Sequence, residues 1–171
     1  RIVKPELGDV TVVVGLGLIG LMTVQMLKAN GCIVVGIDVN PDTFDIAKKC
    51  GADYVCSPGA EALSAVESIS EMYGADSIII TAGTASSEPL NQAMKMVRKR
   101  GKVVIVGAVG MNLSRHPFYQ KEVELSISCS YGPGRYDAQY EEYGLDYPYH
   151  YVRWTENRNM QAFLDLLSLQ K

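Results

Sequence analysis

The sequence predicts an α/β fold: a doubly wound, about six-stranded, mostly parallel sheet with helices on both faces. Runs of strand type alternate strictly with segments of helical period, as in a parallel sheet built from β-α units. The first strand run is β-branched and apolar on both sides, the texture of a strand covered above and below. Glycines stand where the helical segments stop, at Gly31, Gly51 and Gly74.

In order, Val10 to Val14 reads as the first strand and Leu18 to Asn30 as a mostly apolar helix closed by Gly31. Ile33 to Ile37 is the second strand, and Pro41, at a favourable first helical position, opens a helix ending at Cys50 before Gly51. A short strand at Asp53 to Cys56 leads into a helix from about Gly59 to Met72, with Leu63, Val66 and Ile69 at spacing three. Ser77 to Thr81 is a buried strand. Glu88 to Arg100 follows as a helix with Leu90, Ala93, Met94 and Val97 on one face, and Arg98, Lys99 and Arg100 where cations favour the dipole's negative end. Lys102 to Val106 is the next strand, a loop containing Met111 to Pro117 comes after it, and Val123 to Ser128 is the last strand. Then the texture changes. Tyr131, Tyr136, Tyr140, Tyr143, Tyr147, Tyr149 and Tyr151 crowd an irregular stretch broken by Gly132, Pro133, Gly134, Gly144 and Pro148. A final helix from about Glu156 to Leu169 carries an apolar stripe of Met160, Phe163, Leu164 and Leu167. The expected organisation is a nucleotide-binding domain at 1–130, a tyrosine-rich irregular arm at 131–155 and an amphipathic helix at 156–171.

Composition narrows the function classes. The 171 residues are 47% hydrophobic and 20% charged, with 16 Lys and Arg against 19 Asp and Glu, a balance of -3. A chain this long buries roughly 70% of the surface its unfolded form exposes, enough for a core without staples. Mild acidity argues against binding nucleic acid by phosphate neutralisation. The apolar runs fall far short of the ~20 residues of a membrane span. The chain starts at Arg1 without a secretory signal pattern, so Asn112-Leu113-Ser114 reads as a chance glycosylation match. Cys32, Cys50, Cys56 and Cys129 form no C-x-x-C pair, and with only His116 and His150 available no zinc spacing assembles. The expectation is reduced thiols and a cytoplasmic protein.

The most informative stretch is Gly15-Leu16-Gly17-Leu18-Ile19-Gly20, a G-x-G-x-x-G between a predicted strand and a predicted helix. Gly15 permits the tight turn, Gly17 lets a pyrophosphate approach the backbone, and Gly20 allows close helix-to-strand packing. The free N–H groups of the helix start and its dipole then favour phosphate. Asp38 ends the second strand, where its carboxylate can accept from both hydroxyls of an adenosine ribose; the alternative is that it caps the next helix. That carboxylate would repel a 2'-phosphate, and Val39, Asn40 and Pro41 offer no Arg, so NAD(H) is favoured over NADP(H). At two later strand ends, Thr81-Ala82-Gly83-Thr84 and Val106-Gly107-Ala108 are small enough for a dinucleotide to lie against the backbone; the alternative is that Gly83 and Gly107 are only turn glycines.

With these residues the chain resembles the nucleotide-binding domain of the medium-chain, zinc-type alcohol dehydrogenase superfamily over about Lys4 to Ser130. The phrases that carry the resemblance are Lys4-Pro5-Glu6-Leu7-Gly8-Asp9, the glycine loop, Ile37-Asp38, Ala47-Lys48-Lys49-Cys50-Gly51-Ala52-Asp53, and Gly101 to Gly107. The tail, Ser130 to Asp137 and Tyr151 to Glu156, is similar to a bacterial branch often joined to a glucose-fructose-oxidoreductase-like domain and associated with sugar or cell-surface polysaccharide metabolism. The resemblance implies a Rossmann fold and an oxidoreductase moving hydride between a nicotinamide and an alcohol or carbonyl carbon. It also implies a catalytic zinc held mainly in a separate domain preceding this one, so this chain alone is expected to be inactive, with no catalytic residue and no metal ligand assigned in it. Homodimerisation through the edge of the 123–128 strand is a further implication. Two other readings stand beside it: a non-catalytic NADH/NAD redox-sensing module, and a zinc-independent NADPH-dependent quinone or enone reductase.

Weaker candidates remain. Arg135 among the tyrosines suits a carboxylate or phosphate, or an arm packing on another domain. Neither His116 nor His150 has an adjacent nucleophile, and Ser57, Ser64 and Ser77 lack the G-x-S-x-G elbow of a hydrolase.

Overall fold

The computed structural model describes residues 1–169; Gln170 and Lys171, the end of the predicted 156–171 segment, lie outside the described residues. The chain divides into two compact units, Arg1–Ile127 and a second beginning at Ser128.

The first unit is a six-stranded sheet of β1 (Val10–Val14), β2 (Ile33–Ile37), β3 (Tyr54–Cys56), β4 (Ala75–Ile80), β5 (Val97–Ile105) and β6 (Glu124–Ile127), in the order β3-β2-β1-β4-β5-β6. All its pairings are parallel, with Val12 opposite Val35 on one side and Ile78 on the other. Successive side chains of β1 serve opposite faces. Val12 and Val14 pack with Val66 of α3 (Ala60–Ile69) and Leu90 and Met94 of α4 (Glu88–Met96). Val13 packs with Val24 and Leu27 of α1 (Leu18–Ala29) and Ala47 of α2 (Phe44–Lys49). Burying each such Val or Leu contributes about 1.5–3 kcal/mol relative to exposure. Helices thus cover both faces, and the strand order reverses direction between β1 and β4, where open sheets of this type bind ligands.

The structure departs from expectation at several boundaries. The helix expected to run to Arg100 ends at Met96, and Val97 begins β5 opposite Ala75. Between that pair and Ser77–Lys102 the register shifts, so Arg98, Lys99, Arg100 and Gly101 form a bulge. Arg98 therefore serves Asp76 (Nε to Oδ1, 2.7 Å), whose other oxygen accepts from the Val10 backbone N–H at 2.8 Å. The cation at the α4 carboxyl end is Lys121: its Nζ donates to the carbonyls of Lys95 (2.5 Å) and Val97 (2.7 Å). Burial lowers the Lys121 pKa. The loop expected over Met111 to Pro117 contains the start of a short helix, α5 (Arg115–Gln120). Helix α3 stops at Ile69 rather than near Met72, because the Ser70 hydroxyl turns back to the Val66 carbonyl (2.7 Å) and Glu71 and Met72 adopt φ of 50° and 71°. The helix expected from Pro41 opens with a 3-10 turn, Pro41–Thr43, before α2.

In the second unit the tyrosine-rich stretch is largely irregular but holds a single helical turn, α6 (Ala138–Glu141). Tyr140 stacks on Tyr147 with centroids 5.4 Å apart and donates to the buried Thr155 hydroxyl at 2.9 Å. Tyr147 donates to Asp137, which lowers that carboxyl's pKa and raises the tyrosine's. Thr155 caps α7 (Glu156–Ser168), and Met160, Leu164 and Leu167 of the expected stripe are exposed.

Candidate functional site

The glycine loop joins β1 to α1 at the carboxyl edge of the sheet. Gly15 has φ +98°, and a Cβ there would lie 2.7 Å from the Ala82 nitrogen, so the residue must be glycine for both conformation and space. At Gly20 a Cβ would sit 1.9 Å from the Gly15 carbonyl oxygen, the close approach of helix onto loop expected of the third glycine. Gly17 differs: its φ of -73° and ψ of -168° suit any residue, and a Cβ would meet nothing within 4 Å.

Gly17 is the N-cap of α1, and neither a side-chain cap nor an acidic residue occupies the first turn. The first bond inside the helix runs from the Leu21 N–H to the Gly17 carbonyl, 2.9 Å. The earlier N–H groups, through Gly20, have no intrahelical acceptor and lie at the positive end of the dipole, with Gly17, Leu18 and Ile19 exposed and Gly20 buried. Leu16 is buried and anchors the loop, while Leu18 and Ile19 are exposed beside its mouth.

Asp38 follows β2. One carboxylate oxygen accepts from the Leu16 N–H at 2.6 Å and the other from the Asn40 N–H at 2.8 Å. Each oxygen keeps a lone pair for a further donor. The cap of the next turn is Asn40, whose side chain accepts from the Asp42 N–H at 3.1 Å, so Asp38 is not spent on that role. Val39 is 82% exposed, leaving the space beside Asp38 open.

The ends of β4 and β5 step across the same edge. The Thr81 and Ala82 N–H groups both donate to the Val14 carbonyl (2.8 and 3.0 Å), and those of Val106 and Gly107 to the Ile80 carbonyl (2.8 and 2.9 Å). Gly107 is a close-approach glycine: a Cβ there would lie 2.1 Å from the Ala82 oxygen. A Cβ at Gly83 would meet nothing within 4 Å. Thr84 pairs with Val109 across these loops, beside an open cleft of about 450 Å³ lined by Gly83, Thr84, Ala85, Ala108, Val109 and Gly110. Residues predicted from four separate phrases therefore share one edge of the sheet.

Thr81, expected only as one of the small residues after the fourth strand, makes a specific contact that the sequence did not predict. Its hydroxyl lies 2.6 Å from the Gly15 carbonyl and 3.1 Å from that of Val14. The available signal was a lone hydroxyl closing the run Ile78-Ile79-Ile80. Among the described residues no group of three or more His, Cys, Asp or Glu could hold a metal ion, so these residues do not supply the donor set of a catalytic zinc.

A family model described as zinc-binding dehydrogenase matches residues 19–144. D-guloside 3-dehydrogenase of Escherichia coli (strain K12) is 32% identical over 170 residues, 95% of this chain and 44% of the relative. An NAD-dependent alcohol dehydrogenase of Saccharolobus solfataricus is 36% identical over 102 residues, 58% of this chain and 29% of the relative. Among solved structures, the D-arabinose dehydrogenase of Sulfolobus solfataricus superposes with a TM-score of 0.66 at 25% identity, covering 74% of this chain and 39% of that one. The chain thus spans less than half the length of these proteins.

Proposed function

Since the chain belongs to the zinc-binding dehydrogenase family, we propose that it holds NAD(H) for an oxidoreductase acting on an alcohol or carbonyl carbon of a sugar-type substrate. The observation that carries this reading is the uncapped α1 start behind Gly17, with the Asp38 carboxylate beside it. The pyrophosphate would lie on the N–H groups from Leu18 to Gly20, and the adenosine ribose would donate to the free lone pairs of Asp38. Ala82, Gly83, Thr84, Val106 and Gly107 would flank the nicotinamide half. When bound, the nicotinamide supplies hydride transfer. The part of this chain is to bind the cofactor, orient it and exclude a 2'-phosphate, which the anionic Asp38 repels.

The sugar-type substrate is supported by the match to D-guloside 3-dehydrogenase over 95% of the chain. The proposal includes a cytoplasmic setting, in keeping with four free cysteines. It also includes a homodimer through the 123–128 strand edge. There β6 ends the sheet and Ile127 is 63% exposed, so a second copy could extend the ladder. A monomer mass in sedimentation at high concentration would refute the dimer.

The test of the cofactor assignment is a calorimetric titration of this chain with NADH and NADPH in one buffer. Tighter binding of NADH is expected. Tighter binding of NADPH would overturn the Asp38 argument and favour the quinone or enone reductase, and no binding of either would overturn the dinucleotide reading for this chain.

A further inference from the structure

We propose that Thr81 is a positioning residue for the cofactor pyrophosphate, acting through the peptide that joins Gly15 to Leu16; this rests on the dinucleotide reading above. Both polar ends of that one peptide are held by side chains from the strands flanking β1. Its carbonyl accepts from the Thr81 hydroxyl at the end of β4, 2.6 Å away and 66 residues distant in sequence. Its N–H donates to Asp38 at the end of β2, also at 2.6 Å. The same carbonyl lies where a Cβ on Gly20 would fall, and the Thr81 oxygen would be 3.0 Å from that Cβ. Gly15 oxygen is therefore lodged between the first turn of α1 and Thr81. Gly17 and the free N–H groups follow immediately along the chain, so the tilt of this peptide sets where they point.

A threonine hydroxyl has one proton. The shorter of its two contacts commits that proton to the Gly15 carbonyl, so toward a ligand the oxygen offers only lone pairs. A phosphate, itself an acceptor, gains nothing from contact with it. Thr81 thus acts on the pyrophosphate indirectly, which separates it from the N–H groups that would touch it.

Replacing the hydroxyl by a methyl, in Thr81→Val, puts carbon where oxygen stood at 2.6 Å. A C···O contact needs about 3.3 Å, so the loop must retreat by roughly 0.7 Å. Thr81→Ala instead leaves the Gly15 carbonyl without this donor, and Thr81→Ser keeps it. Wild type and the three variants would be titrated with NADH, with ADP-ribose and with adenosine, melting temperatures recording that each is folded; Ala carries the test should Val not fold. Val and Ala are expected to weaken NADH and ADP-ribose about tenfold, Ser to restore them, and adenosine, which has no phosphate, to stay within about twofold throughout. ADP-ribose affinity unchanged in Val and Ala, failure of Ser to rescue, or a parallel loss of adenosine would each overturn the proposal. Wild type binding neither NADH nor ADP-ribose would instead overturn the dinucleotide reading on which it rests.

Discussion

Gly17→Ala separates the demands of a ligand from those of the fold. In the free protein the new methyl enters open space at a φ of -73°. Restricting the unfolded chain favours Ala by about 0.4–1 kcal/mol. Ala is the poorer N-cap, a cost of similar size, so the net change in stability stays within about 1 kcal/mol. That is a melting shift of no more than about 4 °C for a domain of this size. Binding is affected differently. A Cβ projects about 1.5 Å beyond the Cα, and a pyrophosphate seated on the α1 start would have to draw back by nearly that distance. Hydrogen bonds of about 2.9 Å stretched beyond ~4 Å are lost. Two such bonds to a charged group, at about 1.5–3 kcal/mol each, amount to a hundredfold or more in affinity. NADH fluorescence titration beside a thermal melt reads both quantities. A variant that binds NADH within about threefold of wild type would refute the close approach at Gly17. Gly20→Ala is the contrasting control, because its Cβ would collide 1.9 Å from the Gly15 oxygen and must disturb the protein without ligand.

Asp38→Ala removes the acceptor of the Leu16 and Asn40 N–H groups as well as that of the ribose. NADH affinity should fall at least about tenfold, and a loss within about twofold would show that the ribose is held elsewhere. Lys121→Met uncaps the carbonyls of Lys95 and Val97. It should lower stability by about 1–2 kcal/mol in urea melts without altering NADH affinity. The buried Cys56 thiol is raised from 9.0 to about 11 by burial, with Glu61 adding to the effect. Its contribution to stability is complete below pH 9 and is lost as pH climbs toward 11. The unfolded chain releases this proton first, at up to ~1.4 kcal/mol per pH unit, roughly 2–3 kcal/mol in all. Urea unfolding of wild type against Cys56→Ala from pH 8 to about 10 should show the variant with the flatter profile, and parallel profiles would assign the pH dependence to other groups.

The central strands β1, β2 and β4 were legible as dense apolar runs ended by turn signals, and the glycine loop by its spacing, in which Gly15 and Gly20 meet steric demands of the fold while Gly17 opens onto free space. What sequence could not supply was choice between partners. Val97 continues the helical face of Leu90, Ala93 and Met94, so periodicity carried the helix past Met96; pairing with Ala75, over twenty residues away, decides for the strand. The cation at the carboxyl end of α4 was expected from the adjacent Arg98 to Arg100, yet Asp76 claims Arg98 and Lys121 reaches the carbonyls. Helix α5 spans only six residues and contains Pro117, too short for a periodic signal. Thr81 was legible as a small residue at a strand end, but the role of its hydroxyl was hidden for the same reason as that of Lys121: it depends on a neighbour 66 residues away.

The clamped peptide also bears on the order in which the protein acquires its site during synthesis. Every residue of the glycine loop has been made by Gly20, but the Asp38 ligand to Leu16 arrives later, and the Thr81 ligand to Gly15 later still. Until β4 inserts, β1 has no neighbour on that side and Ala82 is not there to fill the space beside Gly15. A nascent chain halted before β4 would carry the complete motif and lack the partners that shape it, while exposing the open edge of β1 to aggregation. The loop thus takes its final shape only when strands made after it, and remote from it in sequence, close around it.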